Sequence, residues 1–528
     1  MKKKTLLLLP LLALLLTSCN FINGFYSSKE KSFSYDENDT SQPSGIKKTK
    51  LTQTYKDYED NSIYSSDSCP TLGEVKLLVI PVWFSDSTTY ISTDSKENVR
   101  EDIRKAYVGT QKETGWNSVK TYYETESFGK LTLNATISDW YNTNTSSRNY
   151  RSDDDCSKTI SLVKSATDWY FSSHPSDSRT NYDADGNGYI DGVMLIYGAA
   201  NYVTINNDAA SNLWAYCYWV QDTSLANKTN PGPNSFFWAS YDFMYSSSSR
   251  LVQERTGHLY GYGDTSNCNI DAHTYIHEMG HIFGLDDYYD YGSSQYVPAG
   301  SLTMQDYNVG GHDPFSVMAL GWASPYIATE SADIVLRPFQ SSHDLLLLTP
   351  SFNDYSSPFD EYLLIEYYTP TGLNSFDCNH PYLSKTSLKL PTKSGIRVWH
   401  VDARLLEVTN IIGNRAIFSD ELTSDVNAGK GTMIAMSNSY EGSHVSYVSS
   451  FKNYNLLQYI RNNMLETYTP TSNISNNNMF YNGDTFTMKQ YSRQFVNGTH
   501  LNSGNSLNYS FTISIGKDAA TISVIKES

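Results

Sequence analysis

The run His277-Glu278-Met279-Gly280-His281-Ile282-Phe283-Gly284-Leu285-Asp286-Asp287 constrains this chain more than any other feature of it. Residues four apart lie on one face of an α-helix, stacked about 6 Å apart along its axis. A helix here sets the imidazoles of His277 and His281 side by side, where both can ligate one zinc ion at about 2.0–2.1 Å. Glu278 is offset on the same helix. Its carboxylate reaches the water-filled position of such a site without ligating it, which is the placement of a general base. Gly284 lets the chain turn sharply after the second His, and Asp287 can then swing back as third ligand. Asp290 and His312 are its rivals. Asp286 is the wrong neighbour, because adjacent side chains in an extended segment point opposite ways. His273 also precedes His277 by four, so a His pair at helical spacing arises here without a Glu between its members.

Two further motifs bear on chemistry. Met304, in the run Ser301 to Asn308, resembles the methionine turn that lies beneath the zinc site in the metzincin class, and Tyr307 offers a phenol to the metal or to a developing oxyanion. Asp183-Ala-Asp185-Gly-Asn187-Gly188-Tyr189-Ile190-Asp191 copies the first half of an EF-hand loop. It has side-chain oxygens at positions 1, 3 and 5, Gly at 6, a backbone carbonyl at 7 and an acid at 9. Position 12, where a bidentate Glu belongs, is Met194. Structural calcium with further ligands from elsewhere is the expectation, set against an Asx-rich turn that the same residues favour. His400 and Asp402, in an apolar run, read as hydrogen-bonded core residues.

At 528 residues the chain exceeds the length at which one core stops growing, roughly 250–300 residues, so at least two domains are expected. Charged residues are only 18%, which leaves a surface of Ser, Thr, Asn and Tyr suited to an extracellular protein. The net charge of −17 argues against nucleic acid as a partner, since phosphate binding needs a basic face. Strands are predicted at Val75 to Phe84, Lys130 to Trp140 and Gly192 to Tyr197, and helices at Ser95 to Tyr107, Asn117 to Glu126 and Asp271 to Leu285. Beyond Trp322 strand-like runs dominate, at 333–336, 345–348, 362–368, 395–401 and 507–515, with one helix near Asn453 to Leu465. The reading is an α/β (α+β) catalytic domain over 70–330 with a metzincin-like active-site helix, then a mainly β, sandwich-like domain over 331–528.

The chain opens with Lys2, Lys3 and Lys4, then an apolar run from Leu6 to Leu16. That run falls short of the roughly 20 residues a membrane span needs and fits a signal peptide. Leu16-Thr17-Ser18-Cys19 resembles a bacterial lipobox, in which the Cys is acylated and becomes the mature N-terminus. Residues 1–19 therefore read as a lipoprotein signal and 20–69 as a flexible polar stalk, which places the protein on a bacterial surface, lipid-anchored and extracytoplasmic. Five other cysteines, Cys69, Cys156, Cys217, Cys268 and Cys378, form no CxxC pair; Cys217 with Cys268 is a conceivable disulfide.

With these residues in view, the chain resembles the immune inhibitor A family of secreted bacterial zinc metallopeptidases. The resemblance spans about 70–410. It is carried by LVIPVWFSDS (78–87), SVKTYYETESFGKLTL (118–133), DADGNGYIDGVMLIYGA (183–199), HEMGHIFGLDDYYD (277–290), FSVMALGW (315–322), EYLLIEYYTPTGL (361–373) and SGIRVWHVD (394–402). Family members commonly have Pro before the Asp where this chain has Asp286. The resemblance implies zinc and hydrolysis of peptide bonds. Protein or peptide substrates and a monomer are expected. Two other readings compete. One is a surface binding module on a peptidase scaffold, against which the intact Glu278 argues. The other is a glycoprotein-directed peptidase whose β domain reads sugars through exposed Trp and Tyr.

Overall fold

The computed structural model describes residues 43–61, 69–153, 155–202, 207–245, 269–292, 296–350, 352, 356–382, 388–412, 415–427, 431–439, 451 and 453–527. The expected signal peptide with Cys19, residues 20–42 and 62–68 of the expected stalk, and Cys268 lie outside these residues. The chain is mixed α/β, with several sheets and few helices.

Val75 to Phe84 is apolar throughout because its strand, Gly73–Trp83, is covered on both faces. It runs parallel to Leu131–Ile137 on one side and to Val193–Tyr197 on the other. Ser235–Ser240 continues the parallel sheet, and Tyr216–Trp219 closes it antiparallel as the last strand. Leu77, Val79, Met194, Ile196 and Phe237 point into one core, with the helices Lys96–Val108, Val119–Glu126 and His273–Ile282. Leu78, Ile80, Val193, Leu195 and Trp238 point the other way, onto the helix Ser157–Ser173. Ser118 caps Val119–Glu126, accepting the Thr121 N–H at 3.2 Å.

A second sheet has the order Ile46–Lys48, Tyr326–Ala328, Leu345–Leu348, Glu361–Tyr368, Gly395–Asp402, Leu457–Ile460. Leu346, Leu348, Leu363, Ile365 and Val398 face a four-stranded sheet, where they meet Phe486, Phe511, Ile513, Ile522 and Val524. The opposite face carries Leu347, Leu364, Trp399 and Tyr459 into the same core as Phe283, Met304 and Phe315. Packing is therefore continuous across residue 330, and Tyr326–Ala328, ahead of that point, belongs to the second sheet.

Two expectations are corrected. The helix near Asn453 to Leu465 is instead a strand, Leu457–Ile460, paired with Gly395–Asp402. Leu456, Leu457, Tyr459 and Ile460 are all buried, which suits a strand covered on both faces and not a helix with one wet side. The polar stalk does not extend over residues 43–61. Ile46–Lys48 pairs with Tyr326–Ala328, and the helix Tyr55–Asn61 buries Tyr55 and Tyr58. His400, by contrast, sits in the core as expected, its Nε2 2.8 Å from Glu361 Oε1.

Candidate metal centre

The helix His273–Ile282 buries every residue but His281, which is half-buried. Asp271 starts it, accepting the His273 N–H at 3.0 Å, and the Tyr275 phenol ties it to the first sheet through the Ser240 carbonyl at 2.8 Å. Gly284, at φ +97°, ends it: the Leu285 N–H reaches back to the Gly280 carbonyl at 3.0 Å. A Cβ on Gly280 would lie 2.3 Å from Gln305 Oε1, so a larger residue there displaces that buried amide.

This turn returns Asp287 to the histidines. His277 Nε2 lies 2.9 Å and His281 Nε2 3.3 Å from Asp287 Oδ1, and the two Nε2 atoms are 3.1 Å apart. Each imidazole is fixed from behind, His277 Nδ1 donating to the Met304 carbonyl at 2.7 Å and His281 Nδ1 to the Leu285 carbonyl at 2.6 Å. A carbonyl only accepts, so Nδ1 carries the proton in each ring and both Nε2 atoms present lone pairs. The Tyr291 phenol donates to Asp287 Oδ2, while Asp287 Oδ1 is buried with no hydrogen-bond partner. Three acceptor atoms thus converge in a buried place, an arrangement that a cation satisfies. Without one, the cluster holds a proton. Burial works against a charged His281, yet the Asp287 carboxylate outweighs it and lifts that ring to about 10. Asp287 in turn is held well below the usual carboxylate range, the imidazoles overcoming the effect of burial.

Glu278 is 6% exposed, and its Oε2 is buried without a hydrogen-bond partner. Burial pushes its carboxyl up, against the pull of the two imidazoles, which is the direction a general base needs. The Cys217 thiol, on the edge strand, donates to the Glu278 carbonyl at 3.0 Å.

The rivals stand elsewhere. Asp290 Oδ1 accepts the Gly292 N–H at 2.9 Å and so braces the loop. His312 packs against Tyr122, Tyr123 and Trp322, and burial lowers it to about 3. Met304 is fully buried and serves through its carbonyl. Tyr307 packs edge-on against Tyr382, at 6.4 Å between ring centroids. The phenols beside Asp287 are those of Tyr289 and Tyr291, which sequence reading did not single out. Burial, then the charges of Asp287 and Glu278, raises Tyr289 well above the ordinary tyrosine range. The signal that could have found them is their offset of two and four residues from Asp287.

In the acidic loop, Asp183, Asp185 and Asp191 offer oxygens within 4.8 Å of one another. Asp183 Oδ1 is buried and unpartnered, which fits a cation; Asp183 Oδ2 accepts the Gly188 N–H at 3.0 Å. Asn187 Oδ1 accepts the Tyr189 N–H at 2.8 Å, so that amide also serves the turn. Lys56 Nζ stands 3.0 Å from Asp185 Oδ2. Burial, aided by Asp185 and Asp183, raises Asp191 to about 8.

Exposed Trp and Tyr, the mark of a sugar-reading β part, are absent among the described residues beyond 330. There the exposed large apolar side chains are Val335, Ile417, Met464, Leu465 and Ile525, while Trp214, Tyr218 and Tyr291 belong to the first part. No helix among the described residues is long and apolar enough to cross a membrane. No family model and no curated protein matches the chain.

Proposed function

We propose that this protein is a zinc-dependent endopeptidase, anchored by lipid at Cys19 to a bacterial cell surface, that hydrolyses peptide bonds of extracellular proteins. The observation that carries the reading is the convergence of His277 Nε2, His281 Nε2 and Asp287 Oδ1 beside a buried, unpartnered Glu278 carboxylate. His277, His281 and Asp287 hold the zinc, which supplies Lewis acidity and lowers the pKa of water at that point. Glu278 takes a proton from the attacking water and returns it to the leaving amine. Met304 and Leu285 fix the imidazoles through their carbonyls, and Tyr291 holds the outer oxygen of Asp287. The dry surroundings strengthen each of these interactions. The motif helix and its methionine turn make the catalytic part metzincin-like, followed by a sandwich-like β domain. Asp183, Asp185, Asn187, Tyr189 and Asp191 hold a structural calcium. The motif blocks shared with immune inhibitor A peptidases support the same assignment.

The test is Glu278→Gln. The amide is nearly isosteric but accepts no proton, so zinc stays bound while hydrolysis falls about 10²–10⁴-fold. Elemental analysis and peptide cleavage check the two halves of that statement. Near-normal turnover in the zinc-loaded variant contradicts it.

A further inference from the structure

The segment ahead of Cys69 is polar in composition, yet it carries Tyr55 and Tyr58 three residues apart, on one face of the two-turn helix Tyr55–Asn61. Tyr55 is fully buried, its ring 6.4 Å from Phe315 and 5.7 Å from Phe359. Tyr58 lies 5.2 Å from Phe359, and its phenol accepts the Ile434 N–H at 3.2 Å. Gln53 Nε2 donates to Asp425 Oδ1 at 3.0 Å, and Lys56 reaches Asp185 in the acidic loop. Two buried aromatic rings and contacts to four separate parts of the chain seat this helix as a piece of the body.

What it covers is the end of the motif helix. A Cβ on Gly284 would lie 2.8 Å from Glu59 Cγ and 3.1 Å from Glu59 Oε1, so the Glu59 side chain closes directly over the left-handed residue that turns the chain toward Asp287. The buried Tyr55 phenol has no hydrogen-bond partner; beyond burial, the charge of Asp286 raises it. Asp286 directly precedes Asp287. The Cys69 N–H donates to the Ile282 carbonyl at 3.2 Å, so chain on either side of residues 62–68 closes on residues 282–284. A ligand carried on a loop needs such support, because metal geometry tolerates errors of only about 0.5 Å.

Building on the zinc reading, we propose that the helix Tyr55–Asn61 is a positioning element of the metal centre. Tyr55 and Glu59 hold the Gly284–Asp287 turn in the path that presents Asp287 to the histidines. The segment therefore belongs to the working protein, and processing that removes it through Asn61 lowers zinc affinity.

The experiment measures zinc affinity by competition with a chromogenic chelator, and melting temperature, in the full chain. Wild type is compared with Tyr55→Ala, Glu59→Ala and a control, Leu346→Ala, whose side chain is fully buried on the far face of the second sheet. Tyr55→Ala and Glu59→Ala should weaken zinc binding about 10-fold or more, the usual cost of losing a ligand's support. Leu346→Ala should lower the melting temperature and leave zinc affinity within about twofold, as expected for a site with no shared partners. Glu59 is only half-buried, so that variant reports even where Tyr55→Ala fails to fold. Wild-type affinity in the Glu59 variant, or zinc loss that merely follows the melting temperature in all three variants, overturns the proposal. A wild-type chain that takes up no zinc overturns the parent reading, and this one with it.

Discussion

His273 sits one turn ahead of His277, and its neighbours give it a different task. Its Nδ1 is 2.7 Å from Asp271 Oδ1, its Nε2 is 3.3 Å from Asp377 Oδ1, and its ring stacks on Trp116 at 3.8 Å between centroids. Burial opposes a charge there, but the two carboxylates outweigh it and lift the ring to about 10. The unfolded value is about 6.5. Because the folded value is the higher, the stabilisation is complete below about pH 6.5 and is lost as pH rises toward about 10, at about 1.4 kcal/mol per pH unit within that window. Urea unfolding from pH 7 to 9.5 should show this decline in wild type and a flatter one in His273→Gln; equal slopes would refute the assignment. Asp287 and Asp290 also separate by experiment. After dialysis Asp287→Ala should lose its zinc, while Asp290→Ala should keep it and lose only the bracing of the loop; the reverse pattern would show that the wrong ligand was chosen. His277, Glu278, His281 and Asp287 were legible because helical spacing and one glycine determine where they go. Tyr289 and Tyr291 were not, since among 42 tyrosines only their offset of two and four residues from Asp287 sets them apart.

Among the elements, strands covered on both faces were the easiest to read. Val193–Tyr197, Leu345–Leu348 and Glu361–Tyr368 announce themselves as runs too short for a buried helix, and the longer Gly73–Trp83 by its β-branched and aromatic residues. Leu457–Ile460 escaped because a neighbouring segment covers its edge, Tyr459 N–H donating to the Pro298 carbonyl at 3.0 Å, and that is a tertiary fact. The clustering of carboxylates in the acidic loop was legible, but its neighbour Lys56 was not, because the helix that supplies Lys56 lies more than 120 residues earlier in the chain. Calcium should therefore compete with a built-in ammonium and still stabilise the fold, by roughly 2.7 kcal/mol at a hundredfold excess over Kd. Asp185→Ala should lower the melting temperature in calcium and abolish most of the calcium dependence. An unchanged calcium response would reduce the loop to a turn.

In the whole molecule, two parts were expected and one continuous core joins them. The inner face of the second sheet meets Phe283, Met304 and Phe315, so the β-rich half forms the floor under the segment that orients His277. Composition marks the change of character near residue 330 but carries no record of which faces meet. The N-terminal segment was misread for the same reason, its two buried tyrosines being outnumbered by polar residues on its wet side. Yet the site is assembled from elements far apart in the chain around one local motif, and that motif gives the account its central claim, a metal-dependent peptidase. Cleavage of a peptide library by the purified soluble protein, before and after chelation and again after zinc is restored, tests it most directly. The account predicts cleavage that chelation abolishes and zinc recovers; cleavage that survives complete metal removal, or none from a fully zinc-loaded protein, would contradict it.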